Sequence, residues 1–292
     1  MNQYIQFKKQ RELGEILSDT FAFLRTEFKP FMTTYFKIVA PYLIILLIAL
    51  GFYLYSFSSI LDFNSTSSNE LFSGISMMVS ALVFIVAMIL VYAVSQSTVL
   101  HYIKSYTELQ GQTDFDKIKK EVYDTLWSFI GLGIIVVLSI MVGFIFCFIP
   151  GIYLAVPLSL SFSIMIFMNK SVGESYNYGF TLVKDEWWIT FATLFIIGII
   201  VGIAGYAFNL PAVIYQYASM GIFSGEMDAT SLSGNFVDPV YLILNMIGTL
   251  AQMLLNIISI VAGAFIFFNL NEKKNFTGTF ERIQNLGKTT EE

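Results

Sequence analysis

All sixteen Lys and Arg residues of this chain are confined to four polar segments, which alternate with three segments that carry none. The basic segments are 1–37, 96–124, 169–186 and 270–292; the connections near 58–72, 149–151 and 209–238 hold only acidic or neutral residues. Six apolar runs separate them, at about 36–57, 74–95, 126–149, 152–168, 188–208 and 239–268. A spanning helix needs about 20 apolar residues to cross roughly 30 Å of hydrocarbon. Short loops rich in Lys and Arg stay cytoplasmic. The alternation therefore predicts an all-α polytopic membrane bundle of six transmembrane helices with both termini inside. It reads as one membrane domain over 1–292: a cytoplasmic amphipathic segment 1–35, the bundle 36–268 and a cytoplasmic tail 270–292. A hydrophobic share of 56%, a charged share of 13% and a mean hydropathy of +0.70 lie outside the soluble globular range.

Composition also narrows the partners. A formal charge of −5 lacks the basic footprint of a nucleic-acid binder. Cys147 is the only cysteine and falls in the third apolar run, so no internal disulfide can form. The first 35 residues have no compact apolar region with a small-residue cleavage site, and the first span is expected to act as an uncleaved anchor.

Amphipathic helices are expected beside the spans. Leu13, Ile16, Leu17, Phe21, Leu24 and Phe28 recur at helical spacing over 12–28, opposite Glu12, Glu15, Asp19 and Thr26. Such a helix lies at the headgroup boundary, and Lys29-Pro30 is expected to end it. Similar stretches run from Asp116 to Asp124, ahead of Trp127, and over 172–184, where Val172, Tyr176, Phe180 and Val183 lead to Trp187-Trp188. Paired tryptophans at a span's edge are headgroup-level anchors. Pro150-Gly151 suits a type II turn on the outside, between the third and fourth spans. A shift of 159 positions superposes Gly14-Glu15 on Gly173-Glu174, Phe21 on Phe180, Glu27 on Glu186 and Phe28 on Trp187. With a weaker copy before Trp127, the pattern is consistent with three hairpin repeats.

The chemistry-bearing residues are few. No Asp, Glu, Lys, Arg or His lies in the middle of a span, which argues against a proton-coupled pump. His101, the only histidine, reads as an interfacial side chain without a ligand cluster. No acid, base or nucleophile constellation is visible, so an enzyme is not expected, and neither is a cofactor or a metal. One polar stripe stands out in the last span: Asn245, Gln252, Asn256 and Ser259 share a helix face with Gly248 and Gly263. It can line a polar path or serve helix packing, where small residues allow close approach and amides bond across. Packing is the simpler reading, and Gly198, Gly202 and Gly205 suggest a packing groove in the fifth span.

Several motifs are those of a known family. Pro150-Gly151-Ile152-Tyr153-Leu154-Ala155-Val156, then Ser171-Val172-Gly173-Glu174-Ser175, Lys184 and Trp187-Trp188 resemble the membrane domain of glycerophosphoryl diester phosphodiesterases and related bacterial inner-membrane proteins. Leu13-Gly14-Glu15-Ile16-Leu17-Ser18-Asp19-Thr20-Phe21 with Phe28-Lys29-Pro30 resembles that family's start. The chain departs from it at Pro157, where an arginine is common, and at Asn169, near a usual acid; Pro157 is expected to kink the fourth span. Hydrolysis in the fused members belongs to a separate soluble barrel with metal-binding carboxylates. The resemblance thus implies a bacterial inner-membrane module without chemistry of its own. The expected function is that of a non-catalytic accessory or scaffold subunit, acting through a protein partner, membrane lipids or a second copy of itself. The alternative is a transporter or channel for an uncharged or lipid-like solute.

Overall fold

Glu12 and Ser171 start two helices in the same way. Each is an N-cap whose side chain accepts from the N3 backbone, while the N3 residue, Glu15 or Glu174, accepts in return from the cap N–H. The computed structural model describes residues 4–61, 70–221 and 238–288, and these form ten helices and no strand. They are α1 (Leu13–Thr26), α2 (Phe28–Leu61), α3 (Glu70–Glu108), α4 (Phe115–Phe146), α5 (Phe148–Ser159), α6 (Ser161–Phe167), α7 (Val172–Val183), α8 (Trp187–Ser219), α9 (Pro239–Asn275) and α10 (Thr277–Lys288). Six helical segments are long and apolar enough to cross a membrane: α2, α3, α4, α5 with α6, α8 and α9. Ile48, Leu82, Ile145 and Ile203 are each more than 60% exposed on them. Apolar surface of that extent calls for lipid, not water, as its solvent. The chain is an all-α, multi-pass membrane protein. The connections expected outside near 58–72 and 209–238 are helical at 58–61, 70–72 and 209–219, and 62–69 and 222–237 lie outside the described residues.

The repeat is visible in the backbone. The caps Glu12 and Ser171 differ by 159 positions, as do the starts of α2 at Phe28 and α8 at Trp187. The inward positions match as well: Ile16, Thr20 and Phe23 in α1 against Ser175, Gly179 and Leu182 in α7. The third copy takes a different form, because α4 runs without a break from Phe115 to Phe146 and has no separate interfacial helix.

In α1 the side packed on the rest of the first unit is Ile16, Thr20 and Phe23, while Phe21, on the face expected at the headgroup boundary, is 43% exposed. Two local expectations are corrected. The chain bends at Glu27, before Pro30, which sits in the first turn of α2, where a missing N–H breaks no helical bond. Between α4 and α5 the reversal is made by Cys147 alone, in an extended conformation, and not by a turn at Pro150-Gly151. Pro150 is the third residue of α5, and Gly151 is where the two helices touch. A Cβ on Gly143 would lie 3.0 Å from the Gly151 Cα, and one on Gly151 would lie 2.6 Å from the Phe144 ring.

Packing divides the chain into two compact units. The first comprises 1–38, 93–199 and 257–292. Its core is aromatic: Phe7 stacks on Phe265 at 4.2 Å and meets Phe23 edge-on at 5.2 Å, and Phe23 meets Tyr106 at 5.3 Å. Ahead of α1 the chain is therefore anchored, with the Ile5 N–H donating to the Tyr106 hydroxyl at 3.0 Å. The fourth apolar segment bends at Leu160, three residues beyond Pro157, and α7 packs against that bend. A Cβ on Gly179 would come within 2.6 Å of the Pro157 carbonyl oxygen, so only glycine fits there.

The second unit comprises 39–92 and 200–256, whose described residues include parts of α2, α3, α8 and α9. Leu46, Val91 and Met253 are buried in it, and Tyr53 stacks on Phe84 at 5.3 Å. Asp238 caps α9 by accepting from the Val240 and Tyr241 N–H groups, and it also takes the Tyr215 hydroxyl at 3.0 Å.

Candidate functional site

The polar stripe of α9 is divided between the units: Asn245, Gln252 and Asn256 belong to the second, Ser259 to the first. All four are half-buried. Within the second unit, Gln252 lies so close to Gly205 of α8 that a Cβ there would sit 2.0 Å from the amide oxygen. The contact is reciprocal. Asn209 of α8 covers Gly248 of α9, where a Cβ would be 2.4 Å from Oδ1. The Asn209 amide also donates to the Gly205 carbonyl at 2.9 Å, and Asn245 donates to the Tyr241 carbonyl at 3.1 Å. Two amides thus each seat on a glycine of the facing helix, an arrangement that close helix approach in lipid favours. The groove expected along Gly198, Gly202 and Gly205 is tight only at Gly205; a Cβ at Gly198, Gly202 or Gly263 would meet nothing within 4 Å.

In the first unit Trp187 is held on α5. Its indole N–H donates to the Tyr153 carbonyl at 3.3 Å, and its ring stacks on Tyr153 at 5.6 Å and on Phe191 at 5.3 Å. Trp188 meets Trp187 edge-on at 4.8 Å and is 76% exposed. Cys147 is exposed at the α4–α5 reversal, between two helices and within neither.

His101 is buried, contrary to its reading as an interfacial side chain. Nδ1 lies 2.9 Å from the Glu121 carboxylate and Nε2 3.0 Å from the Thr125 hydroxyl. A carboxylate only accepts, so in the neutral ring Nδ1 donates to Glu121 and Nε2 accepts from Thr125. Lys104 sits 3.7 Å from the same Glu121 oxygen. Both ring nitrogens are engaged in holding α3 to α4.

The main polar feature of the first unit was missed in the sequence: a layer of buried charged and amide side chains next to the aromatic core. Arg11 is 5% exposed; it donates from Nε to Asp19 at 2.7 Å and from its other nitrogens to the Phe7, Lys9 and Gln6 carbonyls. Its own N–H donates to Asn269 Oδ1 at 2.8 Å, and its guanidinium lies 4.8 Å from the Phe265 ring centre. Glu27, also buried, accepts from the Tyr102 hydroxyl at 3.2 Å. Glu272, 1% exposed, caps the start of α10 by accepting from the Gly278 N–H at 2.6 Å, the Thr279 N–H at 2.9 Å and the Thr279 hydroxyl at 2.6 Å. Lys273 pairs with Glu186 at 2.8 Å.

The segment read as a tail from 270 is thus helical as far as Asn275 and buried at Leu270, Asn271 and Glu272. One sequence signal pointed that way: no Gly or Pro separates the apolar run at 257–268 from Asn269–Lys274, so nothing ends the helix there. For Arg11 no local signal exists. Beyond this layer α10 is fixed on one side by Gly278, next to the Lys8 carbonyl, and by the Lys8–Glu281 ion pair. On the other side Phe276, Phe280 and Ile283 are each about half exposed or more.

No protein-family model, characterised relative or solved structure matches this chain.

Proposed function

We propose that this chain is a non-catalytic integral protein of a bacterial inner membrane, with its basic segments and both termini cytoplasmic, serving as an accessory or scaffold subunit for a protein partner. The observation that supports this most is how its polar side chains are used. Gln252 and Asn209 seat on glycines, His101 ties α3 to α4, and Arg11 and Glu272 lock the ends of the first unit. Groups committed to packing and capping are poor candidates for moving a solute or a proton. The outward stripe of α10 offers an apolar surface outside the six spans, and the family resemblance of 111–195 implies a module of the same kind.

The test is crosslinking in native membranes followed by tagged purification of the full chain and of a Phe280→Asp/Ile283→Asp variant. A stoichiometric partner captured by the wild type and lost from an equally stable variant supports the subunit reading. A partnerless protein that moves a neutral solute in proteoliposomes overturns it in favour of a transporter. Truncating residues 1–30 is unsuitable, because it removes Phe7 and Phe23 from the core.

A further inference from the structure

We propose that a pocket in the first unit, where the start of α1 faces the start of α8, holds one phospholipid with a zwitterionic, primary-amine headgroup of the phosphatidylethanolamine type. The pocket has a volume of about 550 Å³. Arg11, Glu12 and Glu15 line it from one side, Trp188 and Ala192 from α8, and Lys273 from α9.

Three observations converge on that occupant. The first is depth. Trp188 is exposed at the first turn of an apolar helix, the position at which tryptophans sit among headgroups. A pocket walled there by Trp188 and Ala192 meets lipid at the level where head and chain join. The second is the type of donor available. Lys273 gives one N–H to Glu186 and has two more, which suit a phosphate oxygen. Arg11 has four of its five donors used internally, one of them on Asp19, so it lines the pocket without reaching outward.

The third observation is the balance of charge. Two cations, Arg11 and Lys273, and two carboxylates, Glu12 and Glu15, line one cavity, and their ion-pair partners Asp19, Glu186 and Lys9 bring these seven groups to a net charge of −1. An anionic headgroup gains little net attraction from such a set, whereas a headgroup carrying both signs can satisfy both. Glu12 and Glu15 each accept a backbone N–H in the capping box, and Glu15 also accepts from Lys9 at 3.3 Å. A carboxylate offers about four acceptor sites, so each can also take an N–H from outside. A primary ammonium supplies such hydrogens, and a choline group has none. The acyl chains would then follow α8 outward from Ala192.

The experiment is native mass spectrometry of the full-length protein, equilibrated with equal amounts of phosphatidylethanolamine, phosphatidylcholine and phosphatidylglycerol of identical acyl chains. The wild type is expected to retain one phosphatidylethanolamine in preference to the other two. Removing a charge-assisted hydrogen bond should reduce that retention about tenfold in Lys273→Ala. Glu12→Gln/Glu15→Gln keeps the capping box and should abolish the preference for the amine headgroup over choline. Ala192→Trp fills the cavity without altering charge and guards against a folding artefact; with an unchanged melting temperature it should lose the bound lipid. Equal retention of the three lipids by the wild type, or undiminished retention in Ala192→Trp, overturns the proposal.

Discussion

The Trp187 indole donates to the Tyr153 carbonyl, so the first residue of α8 lies beside the second turn of α5. Tyr153 is six residues beyond the reversal at Cys147, about 9 Å along a helix. In the sequence the two ends look a full bilayer apart, roughly 30 Å. In the fold they are neighbours, and Phe144 and Ile152 line a cavity with Phe191 and Phe195 on the next turns of α8.

With the Trp187 edge of α8 at the cytoplasmic headgroups, as the basic segments suggest, the α4–α5 reversal falls short of the outer surface. Cys147 is expected to resist an impermeant maleimide applied from the outer face of right-side-out vesicles, while a membrane-permeant maleimide labels it. Rapid labelling from outside would place the reversal at the far surface and break the link between the Trp187 contact and membrane depth.

The glycines of α8 should respond unequally. Gly205→Ala forces the Gln252 amide to move, at a cost of about 1–3 kcal/mol for overpacking. Gly198→Ala and Gly202→Ala meet open space and should leave the melting temperature in detergent within error of the wild type. A uniform response along the three would contradict the packing described here.

Phe23 is fully buried, whereas Phe21 is 43% exposed on the same helix. Phe23→Ala should cost about 3–5 kcal/mol, the usual range for a large core aromatic. Phe21→Ala should cost a small fraction of that. Thermal melts of the two variants in one detergent give the comparison directly.

The two capping boxes carry an acid dependence. Backbone hydrogen bonds from Glu12 to Glu15, and from Ser171 to Glu174, hold both N3 carboxyls below their ordinary value of 4.5. A folded pKa below the unfolded one means that the cap's contribution is complete above pH 4.5 and fades as pH falls through the lowered value. Amide exchange at the start of α7, corrected for intrinsic rates, should rise as the pH falls below 4.5 and through the lowered value. Glu174→Gln, which has no charge to lose, should flatten that response.

Glu272 holds α10 in place. Glu272→Ala leaves the Gly278 and Thr279 N–H groups without their acceptor, and should raise proteolysis and amide exchange over 277–288 while leaving α1 unaffected. Glu272→Gln, which still accepts hydrogen bonds, should be intermediate.

The sequence by itself determined what depends on neighbours along the chain. The run lengths and the placement of Lys and Arg gave the helical class and the six apolar segments. The spacing of Gly14-Glu15 and Gly173-Glu174 gave the repeat, because a capping box is closed by residues three apart. Tertiary structure decided everything that needs a distant partner. Phe23 faces inward because Phe7, Tyr106 and Phe265 are there to meet it, and helical periodicity cannot say which arc of a helix has a partner. Gly205 is tight and Gly202 open because Gln252 of another helix reaches only one of them. Asn269 and Glu272 read as polar tail residues until the folded chain supplies the Arg11 N–H and the start of α10, whose hydrogen bonds replace water around buried polar groups.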